Sequence, residues 1–178
     1  MKPKPKTFKV PIRYVPIQTL SKKDKREQVK MLLKSRKLYK KHKYYTRKHV
    51  ASYKSKPSHH IQNARRIYNI DTITPNQELA NKTGCSLNAL QQIVKKGEGA
   101  YFSSGSRPNQ TAQSWGLARL ASAITAGKSA AVDYDIIDKG CNHNKKAFIL
   151  ANQAKRKYKY GHSRTKRIRI ENIRSENI

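Results

Sequence analysis

The chain has 178 residues, 40 of them Lys or Arg against 10 Asp or Glu, for a formal net charge of +30. Solubility asks for a net charge of only about 2–8 in a small domain, and uncompensated charge at this density repels itself, so the excess points to a polyanionic partner: DNA, RNA or an anionic membrane surface. No apolar run approaches the ~18 residues of a spanning helix, which excludes membrane insertion but not surface adhesion, and two cysteines exclude a disulfide framework.

Residues 1–60 hold 20 basic and 2 acidic residues. The first twenty are expected to form an extended arm. Pro3, Pro5, Pro11 and Pro16 oppose helix, Lys2, Lys4, Lys6 and Lys9 repel one another, and Phe8, Val10, Ile12, Tyr14 and Val15 are available to dock on a partner. From Ser21 to about Tyr39 the pattern predicts a helix, with Ser21 as N-cap and Asp24 in its first turn. Val29, Leu32, Leu33 and Tyr39 make a thin apolar stripe. Lys22, Lys23, Arg26, Lys30, Lys34, Arg36 and Lys37, with Lys40 and Lys41 beyond, are assigned to phosphate in preference to a merely solvated basic face. Residues 40–57 then interleave Tyr44, Tyr45 and Tyr53 with cations including Arg47 and Lys48, which join the nucleic-acid set. Aromatics so placed either stack on bases or pack on the core.

Residues 61–141 carry 9 basic and 6 acidic residues, the balance expected of a folded centre. Ser58 caps a helix to about Tyr68, with Ile61, Ala64 and Ile67 on one face. Its His59 and His60 are adjacent, so they point apart and make poor joint metal ligands. Thr74-Pro75-Asn76-Gln77 predicts the next start, with Thr74 as N-cap, and Gly84 ends that helix. Ser86 caps a second helix, Leu87 to Lys96, stopped by Gly97. The spacing of Leu79, Ala80, Gly84, Cys85, Leu90 and Ile93 is helix-turn-helix-like, and the second helix would present Asn88, Gln91, Gln92, Lys95 and Lys96 to DNA. A generic helical hairpin uses the same capping chemistry and stands as the alternative. Cys85 and Cys141 lack metal-ligand spacing and could pair only if the fold brings them together; with no signal peptide they are read as reduced thiols of an intracellular protein.

The stretch from Lys95 to Thr111 is rich in Gly and Ser. Gly97, Gly99 and Gly105 permit positive φ, while Ser103, Ser104, Ser106 and Arg107 supply donors. It forms either an anion-binding nest, with Ser106 and Arg107 as ligands, or a rigid loop braced by Arg107 and Trp115. No Walker pattern is present. Thr111 caps a helix to about Ala126 that buries Ala112, Trp115, Ala118, Leu120, Ala121 and Ile124. Its Arg119 pairs with Asp133 or Asp135, or binds phosphate. Ser129 to Lys139 follows as one helix with Val132, Ile136 and Ile137 inward. Residues 144–160 make a basic last helix whose Lys155, Arg156 and Lys157 are also assigned to nucleic acid, and the tail from Gly161 is expected to be disordered when free.

The run from Gly99 to Thr111 (Gly-Ala-Tyr-Phe-Ser-Ser-Gly-Ser-Arg-Pro-Asn-Gln-Thr) continues into Ser114-Trp115-Gly116 and Ala118-Arg119-Leu120-Ala121-Ser122. It resembles an uncharacterised domain in small basic proteins of nucleocytoplasmic large DNA viruses of the phycodnavirus and mimivirus type, with shorter relatives in tailed phages. Thr83-Gly84-Cys85-Ser86, Ala130-Ala131-Val132-Asp133-Tyr134, Lys139-Gly140-Cys141 and Ser35-Arg36-Lys37-Leu38-Tyr39-Lys40-Lys41 extend the resemblance over roughly residues 12–158. It implies a viral source, a role in virion, capsid or genome handling, and a place in the virion, the host nucleus or a cytoplasmic virus factory. It implies no catalytic residue.

The resulting expectation is a mainly α protein. A small helical domain with a helix-turn-helix-like hairpin (58–141) lies between a basic N-terminal arm and helix (1–57) and a basic C-terminal helix and tail (142–178). No carboxylate pair, Cys/His dyad or metal cluster is visible, so no enzyme, metal or cofactor is expected. The expected function is nucleic-acid binding, DNA favoured, in a structural or genome-packaging role. The alternative is a minor capsid protein whose arms meet acidic capsid partners or the inner membrane face.

Overall fold

The computed structural model describes residues 8–159 and 165–170. The protein is mainly helical. Its elements in chain order are β1 (Lys9–Pro11), a 3-10 turn (Ile12–Tyr14), α1 (Lys22–Tyr39), α2 (His59–Tyr68), α3 (Gln77–Thr83), α4 (Leu87–Ser103), α5 (Ala112–Ala123), α6 (Lys128–Val132), α7 (Tyr134–Gly140), α8 (Lys146–Tyr158) and β2 (Arg167–Arg169). They form two compact units. The first takes residues 8–55, 102–111 and 165–170, and the second takes 56–101 and 112–159. In this grouping residues 102–111 fall with the N-terminal residues, and the basic last helix falls with the central ones.

In the first unit, α1 begins as its sequence predicts. The Ser21 hydroxyl accepts the Asp24 N–H at 3.1 Å, satisfying one donor that a helix start leaves open. Its buried face is Gln28, Val29, Met31, Leu32 and Ser35. It ends in a Schellman turn, where the Lys43 N–H reaches the Leu38 carbonyl at 3.0 Å and the His42 N–H reaches that of Tyr39 at 2.9 Å. His42 takes the left-handed position at φ 56°.

The N-terminal segment is not a free arm from residue 8 onward. Val10, Tyr14, Val15 and Leu20 are buried, and β1 pairs antiparallel with β2, Val10 opposite Ile168. Beyond the strands, the Ile12 N–H donates to the Lys166 carbonyl at 2.9 Å and the Ile170 N–H to that of Phe8 at 3.0 Å. The expected disorder of the tail is therefore corrected for residues 165–170. The alternating apolar residues of each end supply the buried side of the other's strand, and Pro11 is tolerated because both strands are edges. Lys2, Lys4, Lys6, Pro3, Pro5 and the remainder of the tail lie outside the described residues.

Residues 40–57 form no regular element, yet they are tied down. The Asn109 side chain accepts the Val50 N–H at 2.8 Å and donates to the Val50 and Tyr53 carbonyls, each at 3.1 Å. Asp24 accepts the Ser52 N–H at 2.8 Å and the Ser52 hydroxyl at 2.6 Å. Those two bonds hold the Asp24 carboxyl below its ordinary pKa.

The second unit has a continuous apolar core that includes Tyr68, Leu79, Leu90, Ile93, Leu120, Ile124 and Ile137. The Ser58 hydroxyl caps α2 as expected, accepting the Ile61 N–H at 3.3 Å. Helix α3 starts later than expected: Asn76, not Thr74, is the N-cap and accepts the Leu79 N–H at 2.9 Å. Asn is as good a cap as Thr, and Thr74 instead receives the Asn76 amide at 3.0 Å.

Helix α4 does not stop at Gly97 but continues to Ser103. Gly97 lies where α4 meets α5: a Cβ there would sit 2.6 Å from the Gly116 Cα. The two glycines permit close helix approach, and of the three glycines expected to take positive φ, only Gly105 does so, at 115°. Helix α5 closes at Ala123, short of the expected Ala126. The single helix expected over 129–139 is two, α6 and α7, broken at Asp133. Val132, expected inward, is exposed. Helix α8 packs against α6 and α7 through Ala147, Ala151 and Ala154, small residues at helical spacing.

Cys85 and Cys141 are disulfide-bonded, which corrects the expectation of reduced thiols. They face each other on an antiparallel bridge flanked by Ser86 N–H to Gly140 carbonyl (2.7 Å) and Asn142 N–H to Gly84 carbonyl (2.8 Å). In that arrangement the side chains of the facing pair approach most closely. A separation of 56 residues hides the pairing from any local reading.

Candidate nucleic-acid interface

The first unit's described residues hold 20 Lys and Arg against two acids, Asp24 and Glu27. Along α1, Lys22, Lys23, Arg26, Lys30, Lys34 and Lys37 are exposed, as are Lys40 and Lys41 beyond it. Their spacing of three and four residues makes them neighbours on the helix surface, with Cβ atoms roughly 5–6 Å apart. Among the described residues the ion pairs are Lys96–Asp133 (2.9 Å), Arg119–Asp133 (2.7 Å) and His143–Asp138 (3.2 Å), all in the second unit. No Lys or Arg of α1 has a carboxylate of the described residues within 4 Å. This row can neutralise phosphates without first breaking an internal pair.

Other predicted contacts divide. Lys48 and Arg107 are exposed. Arg36 is half-buried, its guanidinium carbon 3.3 Å from the Phe8 ring centroid. Burial, and secondarily Arg167, pull its pKa below the ordinary value. Arg47 and Ser106 are corrected. Arg47 is 7% exposed and Ser106 is fully buried, so neither offers a surface to phosphate. The Arg47 guanidinium donates to the Ser35 hydroxyl at 3.0 Å and to the Ser106 hydroxyl at 2.8 Å. Those hydroxyls in turn donate hydrogen bonds, Ser35 to the Phe102 carbonyl (3.1 Å) and Ser106 to the Arg107 carbonyl (2.8 Å). One buried cation thus joins α1 and the 40–57 segment to the 102–111 loop.

In the second unit Asn88, Gln91, Gln92 and Lys95 lie exposed on α4, with the Gln92 amide donating to Asn88 at 2.5 Å. Lys96 is half-exposed but held by Asp133. Arg119 makes the expected pair with Asp133, in a two-bond fork at 2.7 and 2.8 Å, and is not directed at phosphate. On α8, Lys155 lies 3.9 Å from the Tyr134 ring centroid and Lys157 5.1 Å from that of Tyr158, while Arg156 is exposed. Among the described residues no group of three or more His, Cys, Asp or Glu is placed to hold a metal. No described helix is long and apolar enough to cross a membrane.

The family of unknown function DUF5824 matches residues 11–145, about three quarters of the chain. The chain belongs to this family. No curated protein and no solved structure matches it. The DUF5824 span takes in α1, the Arg47 network, the disulfide and the Asp133 cluster, and it ends at the start of α8.

One residue of this DUF5824 chain stands out that sequence reading left undecided. Of the three tyrosines among the cations, Tyr45 and Tyr53 are half-buried, while Tyr44 is 72% exposed. The signal was the alternation of aromatics with Lys, which cannot say which ring faces outward.

Proposed function

We propose that this protein binds nucleic acid, DNA favoured, by neutralising phosphates with the exposed row of α1, and that it serves a structural or genome-packaging role rather than a catalytic one. The observation that carries the reading is that, among the described residues, that row has no carboxylate partner. Exposed like charges held in one line repel, and release of condensed counterions from a polyanion turns that repulsion into affinity. Phosphate contacts of this kind position a protein without reading sequence, so broad sequence tolerance is expected. The viral genome as target, and the virion as location, rest on the resemblance to proteins of large DNA viruses.

The test is charge reversal of Lys22, Arg26, Lys30 and Lys34 to Glu in one variant, read by fluorescence anisotropy with a random-sequence duplex. All four side chains are exposed, so the fold should survive, as circular dichroism can check. Affinity should fall by roughly 100-fold or more at moderate salt. Unchanged affinity in a folded variant rules α1 out as the binding row.

A further inference from the structure

We infer that Tyr44 is a stacking platform for an unpaired nucleobase, so that single-stranded segments are bound with an energy that duplex does not share. The inference rests on the phosphate-binding reading above and adds the class of nucleic acid. Tyr44 is 72% exposed, an unusual state for a large ring with aromatic neighbours. Its ring centroid lies 5.0 Å from that of Phe102 and 6.2 Å from that of Tyr39. Those rings hold it in place, and its exposure leaves ring surface for a ligand. The backbone beneath it is fixed by the Schellman turn through Lys43 and His42, so little conformational freedom remains to be lost on binding.

The surroundings select the ligand. Lys37, Lys40, Lys41 and Lys43 are exposed around this end of α1, and Lys34 covers the neighbouring Tyr45 ring at 4.4 Å. An exposed aromatic among cations, in a chain with little negative charge nearby, fits a flat π-face carried on a phosphate backbone. In a duplex the base faces are already stacked on one another, so only an unpaired or terminal base can meet the ring. Stacking of this kind tolerates any base.

The test compares the full-length protein and Tyr44→Ala on three labelled ligands: a 12-nucleotide oligo(dT), the same strand with abasic sites in place of its bases, and a 12-base-pair duplex. Wild type should bind oligo(dT) about 10-fold more tightly than the abasic strand. Tyr44→Ala should remove that preference and leave the abasic and duplex affinities unchanged, while Tyr44→Phe keeps the preference. Removal of an exposed ring leaves the core intact, and an unchanged circular dichroism spectrum checks it. A wild type that binds duplex and abasic strand yet shows no preference for oligo(dT) overturns the stacking role alone, as does an equal loss on all three ligands in Tyr44→Ala. If wild type binds none of the three, the phosphate reading falls and this one with it.

Discussion

Arg47 sits in a run of cations that invites a phosphate-binding assignment, yet its guanidinium is spent on two buried hydroxyls. Removing it leaves Ser35 and Ser106 without their charged donor in a site closed to water. Arg47→Met should lower unfolding free energy by about 2–4 kcal/mol in urea denaturation, with little effect on the affinity of the protein that remains folded. Asp24 gives a pH signature. Its folded-state pKa is lowered by the Ser52 bonds. The stability it contributes is full above the ordinary carboxylate pKa of 3.8 and is lost as pH falls through the lower folded value. Asp24→Asn should therefore flatten the fall in melting temperature on the acid side of pH 4 and leave its pH dependence near neutrality unchanged. At this scale the sequence was a partial guide. Ser21 and Ser58 are local caps, and each does what its spacing predicts, whereas the Asp24 carboxylate turns to Ser52, 28 residues on. The inward turn of Arg47 and the outward turn of Tyr44 depend on the 102–111 loop, which lies more than 50 residues further along the chain.

Gly97 separates two meanings of the same residue at the level of elements. In a helix interior with open space beside it, its replacement by Ala would stabilise the helix by up to about 1 kcal/mol. At a helix crossing where the added Cβ meets the Gly116 Cα at 2.6 Å, Gly97→Ala should destabilise by about 1–3 kcal/mol, a difference of sign that thermal melting resolves. The disulfide joins the α3–α4 turn to the start of the α7–α8 connection across 56 residues. Loop-closure entropy gives it about 4 kcal/mol, so reduction, or Cys85→Ser with Cys141→Ser, should lower the melting temperature of the second unit sharply. Helix positions were legible because apolar residues recur at helical spacing from α1 to α8. The α6–α7 break was not, because it coincides with Asp133, whose carboxylate is drawn inward by Arg119 and Lys96. Periodicity carries no trace of such a tertiary pair.

At the scale of the whole molecule, residues 9–11 and 167–169 form one small sheet, though each looked like part of a separate solvated extension. Neither strand is stable alone, and the pairing is non-local, which is why composition pointed to arms. Charge was more legible than topology. The excess of Lys and Arg concentrates in the first unit, where α1 carries a row of cations that, among the described residues, has no carboxylate partner, and the ion pairs of the described residues lie in the second unit. If that row exists to meet phosphate, affinity must be governed by counterion release.

The most direct measurement is the affinity of the full chain for a random-sequence duplex across a salt series from about 50 to 200 mM, the range over which phosphate-driven binding weakens steeply. With Lys22, Arg26, Lys30, Lys34 and Lys37 each neutralising a phosphate, the logarithm of the binding constant should fall linearly against the logarithm of salt with a slope of about −4 or steeper. A slope near zero, or no binding at the lowest salt, would contradict the account.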